Sequence, residues 1–287
     1  MSAVPVPPSR IGLFFFYTET SAPLRTLARI AEDAGIESIW VPEHSHIPAA
    51  GHTQGPLGEM PEKYSRLFDP FQVLATVAAV TERIRLGTGV SLIGHHDPIL
   101  LAKTLASLDH LSDGRLLLGI GAGWNRGEIE NHGVDFSRRW ARALEHLAAM
   151  KAIWTQEEAS FHGEWVHFDR IWSWPKCVQQ PHIPVLLGNI NPTPMVARHG
   201  DGWLPLSLAH PGALPEGIET LRQNAREAGR DPDGLDVTVM CLERTDPATV
   251  AEYLDAGASR VVLRAPLSSE ERFREYLAAH TNRRAAV

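Results

Sequence analysis

Eight short apolar runs alternate with segments of helical periodicity along nearly the whole chain, and this alternation limits the possible folds more than any other feature. The runs are almost continuously apolar, which is typical of parallel strands buried on both faces. Several of the intervening segments open on Asx-Pro, with the acidic or amide residue as N-cap and proline as first helical residue. The predicted strands cover residues 11–16, 38–42, 84–92, 116–123, 184–188, 203–207, 236–241 and 260–265.

Strands that alternate with helices form a parallel sheet, and eight of them close a (β/α)8 TIM barrel. A length of 287 residues is ordinary for one such barrel, so we predict a single domain over residues 1–287. A doubly wound open sheet is the alternative, but it usually has fewer strands. The pattern adds a long loop after the second strand, residues 45–68, followed by a helix from Asp69-Pro70 to about residue 83. A small β-hairpin is predicted near residues 160–168, after the fourth helix at about 126–154, which has a break near Gly133.

The composition narrows the range of partners and cell compartments to be considered. A net charge of −7 and an isoelectric point near 6.0 argue against nucleic acid or an anionic membrane surface as a partner. No apolar run is long enough to cross a bilayer, and no secretory leader is apparent. The two cysteines lie far apart, which disfavours a disulfide framework or a cysteine metal site. We therefore expect a cytoplasmic protein that acts on a small molecule.

Residues 115–128 combine a strand, a glycine series and a helix start. Gly119, Gly121 and Gly123 alternate, so they fall on one face of the strand and leave it without side chains. Asn125 and Glu128 have the spacing of a capping box. The stretch predicts a place where a ligand approaches the backbone, with an anionic group suited to the exposed N–H donors. A tight turn without a ligand is the alternative.

In a barrel the chemistry lies where the strands end, and these ends are rich in glycine and poor in carboxylates. That profile favours a cofactor cradle over a hydrolytic acid–base pair. A metal-dependent hydrolase is an alternative, because a His-x-His sequence at a strand end can bind zinc. The other strand ends add only His210, which leaves the metal site incomplete. The residues that raise this alternative are Glu43, His46, His95, His96 and Asp97.

Four motifs together resemble the luciferase-like monooxygenase superfamily, and within it the F420-dependent oxidoreductases. They are IWVPEH at 39–44, LGTGV at 86–90, GIGAGWNRGE at 119–128 and GDGW at 200–203. The resemblance runs from about residue 11 to residue 266. It implies a homodimeric barrel that holds the deazaflavin F420, or alternatively FMN, at its C-terminal mouth.

The resemblance also implies roles for individual residues. His44 would lie by the reacting carbon, as the catalytic group that orients substrate or exchanges a proton. Thr88, Gly89 and Val90 match a third-strand bulge, often with a non-prolyl cis peptide, that backs the ring. The chain-bearing side of the cofactor would contact Gly121, Ala122, Gly123, Trp124, Asn125 and Glu128, and its phosphate would lie near Gly188 and Asn189.

The loop after the fifth predicted strand departs from the family pattern. The family often has Gly-Gly-Asn and a longer helix, whereas Gly188-Asn189 is followed here by a short run with two prolines. Asn191-Pro192 is predicted to open the next helix and to direct its N–H groups at the phosphate.

The predicted activity is hydride transfer between F420 and a small organic substrate. One alternative is an FMN-dependent monooxygenase that uses oxygen. A second alternative is a cofactor-binding protein without turnover.

Overall fold

Among the described residues of the computed structural model, eight parallel strands close into a barrel, which confirms the predicted fold. The structure describes residues 10–49, 54–55, 58–59, 62–188, 191, 193–206 and 210–281. Each strand pairs with the next along the chain, and the last pairs with the first, with Ile11 opposite Val261. The strands are β1 Ile11–Phe14, β2 Ser38–Val41, β3 Arg85–Thr88, β4 Leu116–Ile120, β5 Val185–Gly188, β6 Gly202–Leu204, β7 Asp236–Cys241 and β8 Arg260–Arg264.

Helices lie between these strands, and three begin at the Asx-Pro pairs as predicted. The Asp69, Asp97 and Asp246 side chains accept backbone N–H groups two or three residues ahead, at 2.8–3.0 Å. No helix in the described part of the chain is long and apolar enough to span a bilayer. The helices are α1 Leu24–Asp33, α2 Pro70–Ala78, α3 Pro98–Leu111, α4 Arg126–Asn131, α5 Arg139–Thr155, α6 Pro194–His199, α7 Leu214–Glu227, α8 Pro247–Asp255 and α9 Glu270–His280.

Two helix predictions are wrong in their bounds. The helix expected to reach about residue 83 ends at Ala78, because the Glu32 carboxylate accepts the N–H groups of residues 82, 83 and 84. The helix predicted to open at Asn191-Pro192, where Pro192 lies outside the described residues, begins at Pro194 with Thr193 as its N-cap. The Thr193 N–H donates to the Asn191 carbonyl at 2.9 Å.

The segments that interrupt the alternation of barrel strands and helices contain short elements of their own. Within the predicted 45–68 loop, a hairpin pairs Gln54–Gly55 with Gly58–Glu59, and a 3-10 helix follows at Glu62–Arg66. The second hairpin pairs Ala159–His162 with His167–Ile171 after α5, where the sequence predicts it. The predicted break near Gly133 separates α4 from α5.

Trp40 fills the barrel interior. It is fully buried, and its indole N–H donates to Ser38 Oγ at 2.8 Å. Gly87 makes room for the indole, since a Cβ there would lie 2.3 Å from Trp40 Cδ2. The apolar layer around Trp40 closes the interior below the mouth, so a ligand has space only above it. The other buried members of this layer are Phe14, Leu117, Leu186, Leu204, Met240 and Val262.

Candidate active site

His44 forms a buried pair with Glu128 at the C-terminal mouth of the barrel. His44 follows β2 and Glu128 lies in α4, and the His44 Nδ1–Glu128 Oε2 distance is 2.7 Å. Only 6% of the His44 side chain and 1% of the Glu128 side chain are exposed. The Ser45 N–H donates to Glu128 Oε1 at 2.8 Å. Glu128 therefore fixes the loop after β2 as well as the imidazole ring.

The Glu128 carboxyl is held in its ionised form. Burial raises its pKa, but the hydrogen bond and charge of His44 and the Ser45 N–H outweigh this effect, so the pKa lies below its ordinary value. An ionised carboxylate accepts a hydrogen bond from Nδ1–H, which assigns the imidazole tautomer. His44 Nε2 makes no hydrogen bond within the described residues and is the nitrogen left for a ligand.

The capping box predicted from Asn125 and Glu128 forms only in part. Asn125 Oδ1 accepts the Glu128 N–H at 3.2 Å, so Asn125 is the N-cap of α4. The Glu128 carboxylate reaches His44 and Ser45 instead of the Asn125 backbone. Asn125 is 6% exposed, and its Nδ2 has no hydrogen-bond partner in the described part of the chain. An unpaired buried amide donor is costly unless a ligand accepts from it.

Two aromatic side chains enclose His44. Trp124 and Tyr64 meet the imidazole edge-to-face, with ring centroids 5.4 and 5.3 Å away. Burial raises the pKa of the Tyr64 phenol. Trp124 was predicted from its motif, whereas Tyr64 was not. Its only signal was an aromatic residue within the loop that follows the His44 strand.

The bulge after β3 is present, and the peptide bond between Gly89 and Val90 is cis, as the resemblance implies. The neighbouring glycines accommodate this bulge. A Cβ on Gly121 would lie 2.5 Å from Val90 Cγ2, and a Cβ on Gly188 would lie 2.6 Å from Val90 Cγ1. A Cβ on Gly119 would lie 2.1 Å from the Thr88 carbonyl oxygen. The prediction that the glycine face stays bare for a ligand is therefore wrong for Gly119 and Gly121.

The rest of the glycine series turns the chain into α4. Gly123 has φ of +80°, a left-handed conformation that favours glycine, and Ala122 beside it is buried. Gly188 ends β5 beside the bulge, whereas Asn189 lies outside the described residues. The phosphate contact predicted for this loop stays a prediction, because residues 189, 190 and 192 lie outside the described residues and α6 begins at Pro194.

A second carboxylate–imidazole pair, the buried Glu43 and the partly exposed His96, braces the bulge. Glu43 accepts hydrogen bonds from Ser91 Oγ and the Leu92 N–H, each at 2.7 Å, and contacts His96 Nε2 at 2.5 Å. Burial alone would raise the Glu43 pKa, but His96, Ser91 and the Leu92 N–H lower it below its ordinary value. Glu43 thus links the β2 end to the segment that follows Val90.

The residues behind the metal-hydrolase alternative do not converge on a common point. His95 stacks on His132 with centroids 4.7 Å apart, and burial, with His132, lowers its pKa to about 4. Asp97 caps α3. Within the described residues, the only triad close enough to share an ion is exposed on the second hairpin: His162, His167 and Asp169.

A family comparison assigns the chain to a class. The model of the luciferase-like monooxygenase family matches residues 9–286. The chain belongs to this family, whose members are oxidoreductases and monooxygenases. It is 40% identical over 282 residues to the uncharacterized protein Rv0953c of Mycobacterium tuberculosis, covering 96% of this chain and 97% of the relative.

Solved structures on the same fold use two cofactors. The coenzyme F420-dependent tetrahydromethanopterin reductase of Methanopyrus kandleri superposes with a TM-score of 0.70 at 16% identity, over 94% of this chain and 97% of the reductase. The oxygenating constituent of 3,6-diketocamphane monooxygenase from Pseudomonas putida, in complex with FMN, superposes with a TM-score of 0.65 at 20% identity, over 82% and 68%. At these identities the likeness establishes the fold.

Proposed function

We propose that this protein is an F420-dependent oxidoreductase that transfers a hydride between F420 and a small organic substrate at the barrel mouth. The observation that carries the proposal is the buried His44–Glu128 pair, which leaves His44 Nε2 without a hydrogen-bond partner among the described residues. His44 and the bulge at Gly89–Val90 follow the neighbouring strands β2 and β3 at the mouth. When bound, F420 supplies a ring carbon that gives or takes the hydride. The F420-dependent reductase on the same fold supports the choice of cofactor.

The residues at the mouth fit a deazaflavin or flavin. The buried Asn125 Nδ2 is a donor without a partner, as expected of a group that meets a polar cofactor atom. We assign the ring face to Thr88, Gly89 and Val90. The chain-bearing side is assigned to Ala122, Gly123, Trp124, Asn125 and Glu128, and the phosphate to the segment at Gly188 and Asn189. Gly121 acts by giving Val90 its position.

His44 serves as the proton partner. In the oxidation of an alcohol, Nε2 takes the hydroxyl proton while the carbon loses its hydride, and in the reverse direction Nε2 returns the proton to the carbonyl oxygen. The ionised Glu128 stabilises the imidazolium that forms. Because it also holds the Nδ1 proton in a hydrogen bond, proton exchange with the substrate takes place at Nε2. Tyr64 and Trp124 exclude water from the imidazole faces.

The first experiment titrates the protein with F420 and, separately, with FMN, following quenching of tryptophan emission. We expect tight binding of F420. Tight binding of FMN alone would favour an oxygen-consuming monooxygenase, a candidate that the FMN-bound neighbour on this fold supports. If neither binds, the cofactor proposal is wrong.

A second experiment isolates His44. His44→Ala should lower kcat by about 10²-fold or more, the usual contribution of general acid–base catalysis, while the Kd for F420 changes little. Glu128→Gln should retain part of the rate but shift its pH profile, because a neutral amide no longer stabilises the imidazolium. His167→Ala, on the exposed second hairpin, is the matched control. Equal losses of rate and cofactor affinity in His44→Ala would contradict a catalytic role.

A further inference from the structure

A cavity of about 710 Å³ opens at the mouth on the side of β1, β7 and β8. Phe16 follows β1, Leu242 and Arg244 follow β7, Arg264 ends β8, and Arg272 lies on α9. In the closed strand order these strands lie across the barrel from β4, which carries the glycine series. The cavity and the assigned cofactor contacts therefore occupy opposite sides of one mouth.

The cavity concentrates positive charge. Lys63, Arg244, Arg264 and Arg272 line it, against Glu275 as the single carboxylate among its described lining residues. None of these four cations takes part in an ion pair with another described residue, although the chain carries 34 acidic against 27 basic side chains. Most arginines elsewhere in the described chain do form such pairs. Unpaired cations that converge on one cavity provide a favourable potential for an anion.

Two of these cations are held at the inner edge of the cavity without being neutralised. Lys63 Nζ lies 4.5 Å and Arg264 Cζ 5.4 Å from the Phe16 ring centroid. The one hydrogen bond of the Arg264 side chain within the described residues is long, 3.5 Å to the Leu242 carbonyl. A cation–π contact orients a cation but leaves its N–H donors available.

The same phenyl ring connects the cavity to His44. Phe16 meets Tyr64 with centroids 5.2 Å apart, and Tyr64 meets His44 at 5.3 Å. Two ring contacts thus separate the cation cluster from the proposed proton partner, a span that a small organic molecule can bridge. One end of such a molecule would meet the guanidinium groups while the other lies beside Nε2.

We propose that this cavity binds an anionic group, a carboxylate or a phosphate, of the substrate whose reacting carbon lies by His44. The proposal rests on the proposed oxidoreductase function and specifies its substrate class. The same chemistry could come from the phosphate of the cofactor. The position across the barrel from β4, which leads to the assigned cofactor contact Asn125, favours the substrate as its source.

Phenyl phosphate and its neutral counterpart benzyl alcohol are suitable probes for calorimetric titration of the cofactor-free protein. We expect phenyl phosphate alone to bind, and the double variant R244Q/R264Q to raise its Kd at least tenfold, about 1.4 kcal/mol. Arg274→Gln is the matched control, since Arg274 lies on α9 but does not line the cavity. No binding at millimolar concentration, equal binding of benzyl alcohol, or an unchanged Kd in the double variant would overturn the proposal.

Titration of R244Q/R264Q with F420 separates the two sources of the anion. An F420 Kd within about threefold of the wild-type value supports the substrate. A loss as large as that for phenyl phosphate would assign the cavity to the cofactor phosphate and overturn the substrate assignment. If the wild-type protein binds phenyl phosphate but neither F420 nor FMN, the oxidoreductase proposal fails while the anion site stands.

Discussion

Replacing Gly121 with alanine should destabilise the barrel, because the new Cβ would lie 2.5 Å from Val90 Cγ2. Val90 has little room to withdraw on the side of Gly188. Its Cγ1 lies 2.6 Å from the position that a Cβ on Gly188 would take, and a β-branched side chain is stiff about χ1. Overpacking of this kind costs about 1–3 kcal/mol. At roughly 2–4 °C per kcal/mol, Tm should fall by about 2–12 °C.

The assay is a double-mutant cycle of Gly121→Ala and Val90→Ala, with urea unfolding followed by tryptophan emission. Shortening Val90 removes the methyl groups that clash, so the double variant should be more stable than the sum of the single effects by about 1 kcal/mol or more. Gly94→Ala is the control, since its Cβ would meet no atom closer than 3.6 Å. Additivity within about 0.5 kcal/mol would refute the fit of Val90 between the two glycines.

Two further predictions concern the polar groups at the mouth. Burial lowers the His96 pKa, but contact with Glu43 outweighs it and raises the pKa. Its stabilising contribution is therefore complete below the ordinary value of about 6.5 and is lost as pH rises through the raised value. As pH rises above about 6.5, the urea midpoint of the wild-type protein should fall relative to that of His96→Gln. Urea midpoints of the two proteins that change in parallel with pH would contradict this. Asn125→Ser should keep the N-cap and the urea midpoint but raise the F420 Kd about tenfold, and an unchanged Kd would show that Nδ2 meets no cofactor atom.

The barrel could be predicted because its signals are local. Apolar runs, glycine ends and Asx-Pro pairs each act over a few residues, and the helix starts at Asp69, Asp97 and Asp246 follow from their own side chains. The failure at Asn191 has a local cause that the pair alone does not reveal, a turn closed by the Thr193 N–H. The early end of α2 depends on Glu32, which comes from another helix.

The site was predictable as positions but not as contacts. Motifs placed His44 and Val90 at strand ends and Glu128 at a helix start, yet the hydrogen bond between His44 and Glu128 joins residues 84 apart in sequence. The glycine series was read as an opening for a ligand because a strand in isolation does not reveal its neighbour. Only the packed barrel shows that Val90 fills the space beside Gly121. It also shows that Tyr64 lies beside His44.

The fully buried Trp40 blocks the barrel interior, so the site at the mouth is open to solvent on one side only. The layer around its indole contains one polar group, the Trp40 N–H, which donates to Ser38, so the layer itself offers no proton relay between the mouth and the polar side chains of Ser38, Thr238 and Arg260 below it. Any proton that reaches or leaves His44 Nε2 must therefore travel on the mouth side, past the same loops that admit the substrate. Exchange with bulk solvent and access of substrate are then governed by one passage, so whatever molecule fills it also isolates the reaction from water.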